Sequence, residues 1–156
     1  MAQTPTTVSH EARSRDTAAI VADVPDPSAA DAPSIADAEV AVARLAAMSA
    51  DLRGCAILAA DGEPLAASGE LERWGEAARG LLAAADAAAG EPVSHAHVGT
   101  EDGEVFAVRH RGYAVVAASE RFALASLMLA DMRAVLRDLV RGPGVAPMRE
   151  LEAEAA

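Results

Sequence analysis

Beyond Ser34, apolar residues return every three or four positions, at Val42, Leu45, Met48 and Leu52, and this spacing predicts an amphipathic helix. Ser34 stands where an N-cap belongs, Asp37 and Glu39 fall in the first turn, and the helix is expected to run out near Arg53 and Gly54. Two short apolar runs follow, "CAILAA" and the weaker "EPLAAS", on either side of Asp61-Gly62. An Asp-Gly pair between apolar runs predicts a two-residue hairpin whose central residues both take positive φ.

From residue 70 to 89 the pattern returns to a helical period, with Leu71, Trp74, Ala78, Leu81, Ala85 and Ala88 along one thin apolar face. Glu72, Arg73, Glu76, Arg79 and Asp86 fall off that stripe. Gly75 and Gly80 each cost a helix interior about 1 kcal/mol relative to Ala, so this helix needs packing partners. Three strand-length runs follow, "VSHAHVGT", "VFAVRH" and "YAVVAAS", joined by turns at "EDGE" and Arg111-Gly112, and turns this short make neighbouring strands antiparallel. Ser119 is the expected cap of the longest helix, striped by Leu124, Leu127, Met128, Met132, Val135, Leu136 and Leu139. Arg141, Gly142 and Pro143 end it.

The predicted order is helix, strand, strand, helix, three strands, helix. That is an α+β domain on a five-stranded antiparallel sheet, with helices over both faces. Residues 1–34 carry Pro5, Pro25, Pro27 and Pro33 among small and polar residues and read as a disordered arm. Residues 35–142 form the folded domain, and 143–156 read as a flexible acidic tail.

A length of 156 residues with 52% hydrophobic content fits one domain with tails. The formal net charge of -11 repels phosphate backbones, and the basic residues, all Arg, form no patch along the sequence, so no nucleic-acid partner is expected. The opening stretch lacks a basic and then apolar leader pattern, and no run reaches the roughly 18 apolar residues that span a bilayer. No membrane insertion and a cytoplasmic location are therefore expected. Cys55 has no disulfide partner and sits among apolar neighbours, which predicts a small buried side chain.

Candidate chemistry is sparse. The chain has no glycine-rich phosphate loop ending in Lys and no G-x-S-x-G elbow, and with 3% aromatic residues it has little to line a cofactor cavity, so neither catalysis nor a cofactor is expected. The sharpest alternative is a zinc site. If Asp102-Gly103 formed a two-residue turn, His95 would lie opposite His110, and His95, His97 and His110 would share one face with Glu101 or Glu104 in support. The preferred reading is that these His line a half-buried or interface strand and make ordinary hydrogen bonds. Arg109 and Arg111 flank the next turn and read as solvated strand-end charges. Trp74 is read either as an interface anchor or as plain packing onto the sheet.

The segments "LRGCAILAADGEPLAASG" and "VGTEDGEVFAVRHRGYAVVAAS", in this order of elements, resemble the Roadblock family of dynein light chains and bacterial MglB-like proteins over residues 36–142. The resemblance implies a homodimer in which the second helix packs on its symmetry mate and the third strand pairs with its copy. It also implies a non-enzymatic platform or regulator for a Ras-like small GTPase. On that basis the expected dimer interface is Leu71, Trp74, Ala78, Leu81, Ala85, Ala88, Val93, His95 and His97, and the expected partner-binding residues are Arg73, Glu76 and Arg79. The alternatives are a small-ligand sensor of profilin-like, PAS or GAF type, or a pure adaptor subunit.

Overall fold

A computed structural model describes residues 32–142; the expected arm up to residue 31 and the expected tail at 143–156 lie outside the described residues. Within them the order is α1 (Ile35–Met48), β1 (Leu52–Leu58), β2 (Pro64–Ala67), α2 (Leu71–Ala89), β3 (His95–Gly99), β4 (Glu104–His110), β5 (Tyr113–Ser119) and α3 (Ala125–Arg141). The strands form one antiparallel sheet in the order β2-β1-β5-β4-β3. The expected α+β class and element order are both observed.

Ser34 caps α1 through a reciprocal box: its hydroxyl accepts from the Asp37 N–H at 3.1 Å, and the Asp37 carboxylate accepts from the Ser34 N–H at 3.1 Å. These bonds to Ser34 lower the pKa of Asp37. The helix ends at Met48, earlier than the spacing predicts, because Ser49 turns extended while its N–H still bonds to the Leu45 carbonyl. Leu52 and Arg53 instead begin β1, and Leu52 pairs with Ser119.

The β1–β2 connection is wider than the predicted two-residue turn. The Ala59 N–H donates to the Glu63 carbonyl and the Gly62 N–H to the Ala59 carbonyl, so a tight turn is followed by one left-handed residue, Gly62 at φ 87°. Asp61 does not adopt positive φ; its carboxylate accepts from the Glu63 N–H at 3.0 Å, which stabilises the turn by another route. The two-residue turn with both φ positive occurs at Arg111 (φ 51°) and Gly112 (φ 85°), between the paired residues His110 and Tyr113.

Ser119 does not cap α3. It is buried as the last residue of β5, paired with both Leu52 and Glu104, and its hydroxyl donates to the Glu120 carbonyl. Phe122 then takes φ 62°, which no helix allows, and α3 begins at Ala125 with Leu124 as its N-cap. Leu124 and Leu127, expected on the buried stripe, are 65% and 55% exposed.

Alternation along the strands divides the core into two layers. Cys55, Ile57, Phe106, Val108, Val115 and Ala117 face α1 and α3, where Leu45, Met132, Val135 and Leu136 are buried against them. On the opposite face Leu58, Ala107, Ala114 and Val116 pack under Ala78 and Leu82 of α2. Fully burying a Leu, Met or Phe contributes about 1.5–3 kcal/mol, and most of the large buried side chains lie in the α1/α3 layer. Burial also pushes the Cys55 thiol up to about 11, which leaves it un-ionised and unreactive near neutrality.

Candidate functional site

The two sheet edges differ. Strand β2 has four residues and begins with Pro64, a short and proline-guarded edge of the kind that resists pairing. Strand β3 has five residues with no proline; along it only Ala96 is even half-buried, and Val98 is 43% exposed. Its hydrogen-bond phase follows from two bonds, Arg109 N–H to the Ser94 carbonyl and Thr100 N–H to the Gly103 carbonyl, each 2.8 Å. Antiparallel pairs alternate, so Ser94, Ala96, Val98 and Thr100 turn their backbone groups toward β4. The N–H and C=O groups of His95, His97 and Gly99 therefore point outward, along an edge that no other strand among the described residues covers.

The same hairpin decides the fate of the three histidines. The loop is centred on Glu101-Asp102, between Thr100 and Gly103, one position earlier than the predicted Asp102-Gly103 turn. Moving a turn by one position shifts the register by two, which preserves each side chain's face and changes its partner. His95 thus lies opposite Val108 and His97 opposite Phe106, and the expected pairing of His95 with His110 does not form. The His97 ring stacks on Phe106 with centroids 4.5 Å apart and planes at 5°. Its Nε2 lies 3.7 Å from Glu104 Oε2, a buried oxygen with no hydrogen-bond partner among the described residues. No group of three or more His, Cys, Asp or Glu side chains among the described residues is arranged to hold a metal ion.

Helix α2 is rotated from its expected phase. Gly75, Ala78 and Leu82 face the sheet, while Trp74, Leu81 and Ala85 are half-buried and Leu71 and Ala88 are exposed. Ala78, expected at a subunit seam, is 1% exposed beneath its own helix. Among the small residues that remain exposed, Ala77, Gly80, Ala84 and Ala88 run in one line along the helix. The rotation comes from Gly75, whose missing side chain admits the Pro64 ring: a Cβ there would sit 2.8 Å from Pro64 Cγ. Trp74 packs over the β1–β2 hairpin, its indole lying where a Cβ on Gly54 or Gly69 would go. Of the expected partner-binding residues, Arg73 and Glu76 are exposed, and Arg79, also exposed, donates to the Gly62 carbonyl at 3.2 Å.

Two residues outside the expected set prove important for the edge. Asp86 near the end of α2 receives Nη1 and Nη2 of Arg109 at 2.6 and 2.8 Å, and also accepts from the Val93 N–H at 2.9 Å. Arg109 Nη1 donates in addition to the Val93 carbonyl at 3.0 Å. Arg109 is therefore not a solvated strand-end charge, and Val93, expected at the dimer interface, has both backbone groups engaged within its own chain. The Arg109 guanidinium holds the Asp86 carboxyl down at about 2, helped by the Val93 N–H. In sequence the clue was a lone Asp off the apolar stripe of a helix, a signal that any solvated acidic residue also gives.

Neither a protein-family model nor any curated protein matches the chain. Solved structures do match it in fold. The Roadblock/LC7 domain from Streptomyces avermitilis is 16% identical with a TM-score of 0.55, covering 64% of this chain and 91% of that one. MglB from Myxococcus xanthus is 10% identical with a TM-score of 0.58, covering 69% and 87%. The gliding protein MglB from Thermus thermophilus is 13% identical with a TM-score of 0.56, covering 76% and 92%. The chain has the fold of Roadblock/LC7 and MglB proteins, as its sequence pattern implied.

Proposed function

We propose that the protein is a non-enzymatic homodimeric platform that binds a Ras-like small GTPase and regulates its nucleotide cycle or its placement. The observation that carries the reading is β3, an edge with three residues' backbone groups directed outward and no proline, lysine or bulge to block pairing. Pairing with a second copy would satisfy those groups and continue the sheet. The exposed line Ala77, Gly80, Ala84 and Ala88 would let two copies of α2 approach closely beside it. The GTPase partner comes from the resemblance of the sequence to Roadblock-family regulators, and Arg73 and Glu76 are the surface proposed to meet it.

Cavity size favours a platform over a small-ligand sensor. Four clefts among the described residues hold about 200 to 240 Å³ each, below the roughly 300 Å³ at which cofactor and drug-sized pockets begin. No helix among the described residues is long and apolar enough to cross a membrane.

The test is capture of host proteins on the immobilised full chain, in parallel with a non-hydrolysable GTP analogue and with GDP. A small GTPase enriched in one nucleotide state, and lost with the R73E/E76R variant, is the expected result. No GTPase in either state would move the assignment to a pure adaptor.

A further inference from the structure

On the α1/α3 side of the sheet, where β3 begins and β4 ends, a cleft of about 240 Å³ is lined by Ser94, Val108, Arg109, His110, Arg133 and Arg137. No carboxylate lines it. Arg133 and Arg137 lie one turn apart on α3, and neither forms an ion pair among the described residues. Asp138, next to them in sequence, is taken by Arg44, and the guanidinium of Arg109 is committed to Asp86. Like charges four residues apart on a helix repel, so the Arg133–Arg137 pair is unfavourable for α3 unless an anion lies between them. In a chain of formal net charge -11, this concentrates positive charge in one concave place.

The floor of the cleft is fixed. The Arg109 N–H donates to the Ser94 carbonyl at 2.8 Å, and on the opposite face of the sheet Asp86 and Arg109 hold both backbone groups of the preceding residue, Val93. The Ser94 backbone and His110 are thereby held opposite the two arginines on a rigid wall, which is what a small charged ligand needs for its binding not to be offset by ordering the protein.

The geometry points to a binding site for a small soluble phosphate or phosphomonoester, a ligand class independent of the platform reading above. The terminal nitrogens of the two guanidinium groups supply planar paired donors suited to phosphoryl oxygens, with Arg137 Nε donating to the Arg133 carbonyl at 3.4 Å, and the His110 ring adds a shorter-reach polar contact. A cleft of about 240 Å³ is wide enough for a phosphoryl group with a short substituent.

The experiment is an NMR titration of the full chain at constant ionic strength, following the arginine Nε–Hε and His110 ring signals with inorganic phosphate, with glycerol 3-phosphate and with chloride. Saturable shifts at Arg133, Arg137 and His110 with the phosphates, absent with chloride, are the expected result. R133Q/R137Q should weaken binding at least about tenfold, as loss of charge-assisted bonds requires. R141Q, which removes an arginine outside the cleft, should leave it unchanged. R133K/R137K keeps the charge and loses the paired donors, so it should bind with intermediate affinity. Chloride and phosphate giving the same unsaturating drift, or R133Q/R137Q binding as tightly as the wild type, would overturn the assignment.

Discussion

Asp86 and Arg109 form a two-point ion pair, with nitrogen–oxygen distances of 2.6 and 2.8 Å, that joins the last turns of α2 to the end of β4. Both side chains are about one-quarter exposed, and both also engage Val93, so the pair fixes the point at which the chain enters the edge strand. Helix α2 and strand β3 are thereby coupled, and these are the two elements proposed to meet a second copy.

The pair makes stability depend on pH in a definite direction. The Asp86 carboxyl falls from 3.8 to about 2 on folding, so its contribution is fully present above the higher value and is lost as pH drops through the lower one. Asp86→Asn should therefore be less stable than the wild type at neutral pH, and the gap should close progressively from about pH 4 to about pH 2. Urea denaturation at a series of pH values measures this; a gap that stays constant down to pH 2 would show that the ion pair does not contribute.

How much of this was legible in the sequence follows from the range of each signal. Helical periodicity located the helices and short apolar runs between turn residues located the strands, because those signals are local and repeated; Ile57 and Val115, inside two of those runs, are buried. Turn chemistry was less reliable. Asp61-Gly62 carried the stronger two-residue signal, yet that turn formed at Arg111-Gly112, where the pairing of β4 with β5 imposes it. The phase of α2 was missed because Gly75 has no side chain to count as apolar, and its burial depends on Pro64 in another element. The Asp86–Arg109 pair was missed for a similar reason: it spans 23 positions, and neither residue is unusual alone.

Gly75 and Gly80 carry the same helix penalty by propensity, and the structure separates them. A Cβ at Gly80 meets nothing within 4 Å in its own chain, so in the monomeric His95→Pro background Gly80→Ala should stabilise the folded chain by about 0.5–1 kcal/mol. A Cβ at Gly75 meets the Pro64 ring at 2.8 and 2.9 Å, so Gly75→Ala should destabilise by about 1–3 kcal/mol through overpacking, despite the same gain in propensity. Chemical denaturation of both variants checks the pair. Equal shifts in the same direction would mean that α2 does not rest on Pro64 as described.

The proposed edge pairing is tested by two prolines that act on opposite sides of the same strand. The His95 N–H points outward, so His95→Pro removes a donor from the free edge and leaves the β3–β4 ladder intact. By the same alternation the Val98 N–H belongs to the ladder with Val105, so Val98→Pro breaks a bond within the chain. If two copies pair through β3, the wild type should sediment at twice 15.9 kDa. His95→Pro should then sediment as a folded monomer with an unchanged circular-dichroism spectrum, whereas Val98→Pro should lose thermal stability as well as assembly. A His95→Pro protein that stays dimeric would place the subunit contact elsewhere, with the exposed face of α2 the next surface to alter. A wild type that is monomeric at all concentrations would remove the homodimer itself.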